Sequence, residues 1–145
     1  MKFTVFSTLA LSLSLTNLAL SQQVMTVAFE PLYDNSQLDL LTTACSNGNN
    51  GLVTKGYNVA GDLPTFPRIG AAFAVEGWDS VNCGKCFKIK YEPTGIEIPV
   101  IAVDHAGAGF NLAKAAMDEL TGGRAAEIGR TDMTVTEATP ADCGM

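Results

Sequence analysis

Apolar and polar residues alternate most regularly from Cys86 to Tyr91, where Phe87, Ile89 and Tyr91 are separated by Lys88 and Lys90. A period of two sets one face against a core and the other in water, so this segment is predicted as a strand. Glu92-Pro93-Thr94-Gly95 follows, with Pro second and Gly fourth as a type I turn prefers. Ile96 to Val103 returns as the second strand of a hairpin. Pro99 inside it requires an edge or a bulge, because proline has no N–H to give a ladder. Arg130 to Thr136 alternates again and is predicted as the last strand. Val24 to Leu32 mixes β-branched and aromatic residues and stops at Tyr33-Asp34-Asn35-Ser36, which predicts a strand and then a turn.

The period changes once. From Asn111 to Leu120, Leu112, Ala113, Ala116, Met117 and Leu120 share one helical face, with Asn111 placed to cap the start. Gly122-Gly123 supplies a left-handed end. Between these elements, Ser46 to Gly51 is a turn cluster of Asn and Gly, and Gly61 to Gly70, with Pro64 and Pro67, is predicted as an irregular loop. Gly51-Leu52-Val53-Thr54-Lys55-Gly56-Tyr57 is predicted as a glycine-bounded strand. Many short strands with one or two helices predict a small, mainly β (α+β) barrel.

The first residues follow a different pattern. Lys2 precedes an apolar run from Val5 to Leu15, and Ala19-Leu20-Ser21 offers small residues at the −3 and −1 positions of a cleavage site. This is a secretory leader, 1–21, too short for a membrane span and without a stop-transfer flank. The mature domain is then 22–145, with no other stretch able to cross a bilayer. Its loss of Lys2 moves the formal charge from −6 to −7. At 47% hydrophobic and 17% charged the chain is folded, not disordered. Nine basic residues against fifteen acidic, with no basic cluster, exclude nucleic acid as a partner.

Export decides how the cysteines are read. Cys45, Cys83, Cys86 and Cys143 are an even set in an oxidising compartment, which favours two structural disulfides. Zinc would need all four thiolates at an unsuitable spacing, since His105 is the only histidine. Spacing leaves all three pairings open. No Asn-x-Ser/Thr sequon is present, so N-glycosylation is not expected.

The segment Val103 to Asn111 carries the most suggestive chemistry: an apolar strand ends in Asp104-His105, followed by small residues that would let a bulky ligand approach. Asp104 could accept hydrogen bonds from sugar hydroxyls or move a proton, and a histidine such as His105 suits a general acid or base. The opposing reading makes Asp104 a turn cap and His105 a satisfied surface residue. Trp78, the single tryptophan, could stack on an apolar sugar face, although a partly buried core position is the commoner fate of tryptophan. Thr54, Lys55 and Tyr57 offer donors. No Gly-x-Ser-x-Gly nucleophile motif and no P-loop occurs. Hydrolysis of a glycoside needs two opposed carboxylates; Asp104 would be one, with Glu30, Asp79 and Asp132 unranked for the other.

Several runs together resemble the cerato-platanins, small secreted proteins of filamentous fungi: Val27 to Asp34, Ala44-Cys45-Ser46-Asn47-Gly48, Gly51 to Gly56, Asn82-Cys83-Gly84-Lys85-Cys86, and Val103 to Ala106 through Gly109-Phe110-Asn111. The likeness covers the mature chain in order, with all four cysteines. It implies a six-stranded double-psi β-barrel like the expansin catalytic-like domain, and the pairing Cys45–Cys83 and Cys86–Cys143. It implies binding of chitin-type N-acetylglucosamine oligomers, and possible action on cellulose, with loosening of walls and no hydrolysis. It further implies an elicitor or phytotoxin role before a host immune receptor, and a monomer without cofactor or metal in the fungal wall. The expansin-like aspartate falls on Asp104, and the groove is placed around Thr54, Lys55, Gly56, Trp78, Asp104, His105 and Asn111. Two other functions stay in play: a glycan-cleaving enzyme using Asp104, and a self-assembling hyphal surface protein.

Overall fold

The computed structural model describes residues 21–145; the leader predicted over 1–21 lies, but for Ser21, outside the described residues. Six strands, β1 (Gln22–Phe29), β2 (Ile69–Ala72), β3 (Cys86–Tyr91), β4 (Ile96–His105), β5 (Phe110–Leu112) and β6 (Arg130–Glu137), close into a barrel in the order β1-β5-β2-β4-β3-β6. Two pairs are parallel, β1 with β5 and β2 with β4, and the rest antiparallel. Two short helices follow β5: α1 (Lys114–Thr121) and α2 (Ala125–Ile128). This is the barrel, with the two helices and the pairs Cys45–Cys83 and Cys86–Cys143, that the resemblance implies.

The hairpin forms as its alternation dictates. In β3 Phe87 and Ile89 are buried while Lys88 and Lys90 reach solvent, and the register runs Cys86↔Ile101 to Tyr91↔Ile96. Pro99 sits opposite Lys88, in the half of β4 that β2 has not yet reached: the β2 pairing starts at Ile69↔Ile101. The strand is locally an edge there, so the missing N–H costs no ladder bond. Beyond that point the β2–β4 register shifts between Gly70 and Ala71. That bulge bends β4 and brings Asp104 and His105 to the rim.

Two predicted boundaries move and two segments change type. The first strand ends at Phe29, because Glu30 accepts the Leu32 N–H and starts a 3-10 turn at Pro31–Asp34. The predicted helix start at Asn111 is strand instead, since Phe110–Leu112 pairs with both β1 and β2. The helix begins at Lys114 and is capped from far away: the Asp34 carboxylate accepts the Lys114 and Ala115 N–H groups at 2.8 Å each. Its end is the predicted one, with Gly122 left-handed. Gly51 to Tyr57 is not a strand but a coiled turn, in which the Lys55 N–H donates to the Gly51 and Leu52 carbonyls and Gly56 N–H to Val53. β2 emerges from the end of the predicted loop. Its Ile-Gly-Ala-Ala sequence has little strand propensity, and pairing on both sides holds it.

Val27, Ile69, Ile89, Ile101, Phe110 and Leu112 fill the barrel, and Met117 and Leu120 of α1 pack against it. Gly109, at φ +55, lies so close to the Thr26 carbonyl that no Cβ fits there. Cys45 and Cys83 are separated by 38 positions in sequence and Cys86 and Cys143 by 57, and each bond is worth about 4 kcal/mol by loop-entropy arithmetic. Asp34→Ala removes the only side-chain acceptor at the start of α1, and is expected to cost about 1–2 kcal/mol in urea unfolding. Asp34→Asn should lose less, because its amide oxygen still accepts one N–H.

Candidate functional site around Asp104

β4 delivers Asp104 to the rim, where the carboxylate is half-buried and occupied. Oδ1 accepts the Ala44 N–H at 2.9 Å and the His105 N–H at 2.9 Å, and Oδ2 accepts the Tyr33 hydroxyl at 3.0 Å. Asp104 therefore fastens two loop segments, 60 and 71 residues upstream, to the end of β4. Tyr33 is only 5% exposed. Burial, first, and then the Asp104 charge and hydrogen bond push its hydroxyl pKa far above the ordinary value; the Glu30 carboxylate acts the same way. Two carboxylates thus bear on one phenol.

His105 is exposed, and its Nδ1 donates to the Val75 carbonyl at 2.6 Å, which leaves Nε2 toward solvent. The opposing reading, a satisfied surface histidine, describes half of this arrangement: one nitrogen is tied, and the other has no hydrogen-bond partner among the described residues.

Trp78 is 65% exposed, against the commoner fate of tryptophan. Its indole N–H donates to Asn47 Oδ1 at 2.8 Å. Lys55 is exposed too, its Nζ donating to the Cys83 carbonyl at 3.2 Å. With Tyr57, Val81, Gly84, Lys85 and Met145 it lines a cavity of about 400 Å³. Thr54 and Gly56 lie exposed on the same turn. Asn111 falls in one cross-strand row with Asp104, separated by buried Ala71, roughly 10 Å away at the usual strand spacing. Its Oδ1 accepts from Arg130 at 3.4 Å, and Arg130 also donates to Thr26 Oγ1.

The structure thus joins Asp104 and His105 with Tyr33 and Ala44. Through the bonded pair Cys45–Cys83 it links that cluster to Lys55. Trp78 belongs to a neighbouring loop pair, and Asn111 to the Arg130 side. Tyr33 and Asn47 were missed as site residues. Both lie in runs that carry the family resemblance, but no linear spacing signals that Tyr33 meets Asp104. Of the proposed second carboxylates, Glu30 caps the Leu32 N–H, Asp79 accepts the Asn50 N–H at 2.8 Å, and Asp132 lies exposed in β6. Among the described residues no group of three or more His, Cys, Asp or Glu could hold a metal ion, and no helix is long and apolar enough to cross a membrane.

A barrel of this topology with a rim aspartate defines a class, and comparison with known proteins names it. The cerato-platanin family model matches residues 25–145, and the chain belongs to that family. It is 49% identical over 144 residues to the allergen Asp f 15 homolog of Arthroderma benhamiae, covering 99% of this chain and 70% of that one. It is 43% identical over 150 residues to the heat-stable 19 kDa antigen of Coccidioides posadasii, covering 100% and 99%. Cerato-platanin of Ceratocystis fimbriata f. sp. platani is 36% identical over 112 residues, covering 77% and 80%. Among solved structures, cerato-platanin 3 of M. perniciosa superposes with a TM-score of 0.82 at 40% identity, covering 85% of this chain and all of that one. The solution structure of the fungal elicitor cerato-platanin gives 0.74 at 34% identity, covering 81% and 95%.

Tyr33→Phe should cost about 1.5–3 kcal/mol at neutral pH through the lost bond to a carboxylate. The pH dependence has a definite sign. A pKa raised on folding leaves the wild type at full advantage below the unfolded value near 10, and erodes that advantage as pH rises above it, by up to about 1.4 kcal/mol per pH unit. Phenylalanine has no proton to lose. The gap between the two proteins in urea midpoints should therefore narrow from pH 10 upward; a constant gap would disprove the coupling.

Proposed function

We propose that the protein is exported by its 1–21 leader, binds N-acetylglucosamine oligomers of chitin, and loosens wall polysaccharide without hydrolysing it. The observation that carries this reading is the occupied state of Asp104. A general acid must aim a proton at the glycosidic oxygen. Here Oδ1 takes two N–H donors and Oδ2 one hydroxyl, so only a remaining lone pair of Oδ2 is left for a ligand. An acceptor of that kind competes for sugar hydroxyls but cleaves nothing. His105 Nε2 and the exposed Trp78 indole add a polar contact and a stacking face. Lys55, Thr54, Gly56 and Asn111 extend the groove on either side. The net charge of −7 suits a neutral polymer such as chitin or cellulose better than an anionic one. In loosening, protein contacts replace polymer–polymer hydrogen bonds.

The two disulfides fit an extracellular protein, and the fungal wall is its proposed place of action. The words elicitor, allergen and antigen in the names of relatives support a protein that hosts detect, through an immune receptor in a plant or antibodies in an animal.

Glu30 favours one competing reading. It is the candidate carboxylate whose charge reaches Tyr33 beside Asp104, so a cleaving enzyme would use this pair. One experiment separates the two: titrate the 22–145 protein with the N-acetylglucosamine hexamer, follow amide shifts, and assay reducing ends in the same samples. Saturable shifts at Ala44 and His105 without new reducing ends are expected. Asp104→Asn, which keeps an oxygen for the Ala44 N–H, should weaken binding about tenfold. New reducing ends that vanish in Glu30→Gln would replace this proposal with the enzyme.

A further inference from the structure

In two places an asparagine of the mature chain precedes glycine, Asn47-Gly48 and Asn50-Gly51. Such a pair carries its own reaction. The glycine nitrogen, with no side chain beside it, can attack Cγ of the asparagine amide once the two are brought together. The N–Cγ bond forms and the Cγ–Nδ2 bond breaks. Nδ2 leaves as ammonia, taking the backbone proton, and a cyclic succinimide remains. Water then opens the ring at either carbonyl, giving aspartate or isoaspartate, whose peptide bond runs through Cγ.

The fold sets the two pairs apart. At Asn50 both the leaving group and the attacking nitrogen are engaged. Asn50 Nδ2 donates to the Asp79 carbonyl at 3.0 Å, and the Gly51 N–H donates to the Gly48 carbonyl at 3.3 Å. Asp79 Oδ1 also accepts the Asn50 N–H at 2.8 Å. Gly51 is buried, and a Cβ there would lie 2.3 Å from the Ser46 and Asn47 carbonyl oxygens, so its backbone has no room to swing. Asp79 makes this clasp at φ +57, the one left-handed backbone among the described non-glycine residues.

Asn47 has neither restraint. It is exposed, and neither its Nδ2 nor the Gly48 N–H has a hydrogen-bond partner among the described residues. Its side chain is tied at Oδ1 alone, which accepts the Trp78 indole N–H at 2.8 Å and the Ser46 hydroxyl at 3.4 Å. Donors on that oxygen stabilise the negative charge it takes up when the nitrogen adds. Nor can a bulkier neighbour shield the site. Gly48 has φ +85, and a Cβ there would lie 2.6 Å from Asp79 Oδ1. The glycine that bares the nitrogen is the one the Asp79 clasp requires.

We propose that Asn47 is a site of spontaneous deamidation in the folded protein, with the Trp78 indole assisting at the amide oxygen and Asp79 guarding Asn50. The inference does not depend on the glycan-binding reading. Its product adds a negative charge to the loop. As isoaspartate it also lengthens the backbone by one carbon where the indole is fastened.

The test incubates the purified protein, disulfides intact, in warm, mildly alkaline buffer. Peptide fragmentation follows the amide-to-acid mass gain residue by residue, and methyl transfer by an isoaspartyl methyltransferase counts the isoaspartate. In the folded wild type Asn47 should convert, with Asn50 slower by about tenfold or more. In the reduced, denatured chain the two should convert at similar rates. Asp79→Ala should raise Asn50 conversion toward that of Asn47, while Asp79→Asn, which keeps the Oδ1 acceptor, should leave Asn50 protected. Asn47→Gln should remove most of the methyl acceptance, and Trp78→Phe should slow Asn47 by about tenfold. Faster conversion in Trp78→Phe would make the indole a protector and overturn its assigned role. If Asn50 converts as fast as Asn47 in the folded wild type, or if Asn47 stays intact there while the denatured chain converts, the proposal is overturned.

Discussion

Seven residue pairs between the first and last strands, Gln22↔Thr136 through Ala28↔Arg130, close this barrel. A closed sheet has no free edge, so each strand can be short and still satisfy its backbone. β2 and β5, of four and three residues, survive only because each has a partner on both sides. The same closure fixes which residues reach the rim. It carries Asp104 and His105 to the end of β4, beside loops that come from distant parts of the chain.

Those loops bury Leu40, Leu52, Leu63 and Val75 in the same core, and polar groups fix where they lie. Asp104 gathers Tyr33 and Ala44, Asp34 caps α1, and Asp79 takes Asn50. Each carboxylate sits where backbone or hydroxyl donors would otherwise lack a partner, and leaving such donors unsatisfied costs more than the bonds gain. Most basic side chains are likewise engaged: Arg68, Lys85, Lys88, Lys90, Lys114 and Arg124 each meet a carboxylate. The acidic excess therefore serves as loop fastening as well as net charge. Cys45–Cys83 and Cys86–Cys143 tie the same regions covalently, one beside the rim and one at the C-terminal turn.

An aspartate with this much structural work serves as an acceptor. That double duty links the fold to the proposed activity, because the polar atoms around Asp104 are already in position when the loops are in place. The exposed indole is also part of the fold's own bonding, through Asn47. The proposed grip on a polymer, through many modest contacts, would suit displacement of neighbouring chains better than enclosure of one bond.

Local chemistry determined much of this protein from sequence alone. The Lys88/Lys90 alternation, the Glu92–Gly95 turn, the Gly122 end of α1 and the last strand all follow from periods and turn preferences within a few residues. The run of cysteines and Asp-His in family order carried the barrel and the disulfide pairing. What the sequence could not say depends on residues that meet across long separations. Asn111 has the chemistry of a cap, yet pairing with β1 and β2 claims it, and Asp34 caps α1 from 80 residues away. Gly51 to Tyr57 has strand-like composition but no neighbouring strand, so it coils on its own carbonyls. Trp78 is outside the core because Asn47 and the Asp79 backbone hold it there, and Tyr33 is inside because Asp104 receives its hydroxyl. Periodicity reports the average environment of a segment; only the closed barrel decides which single groups find each other.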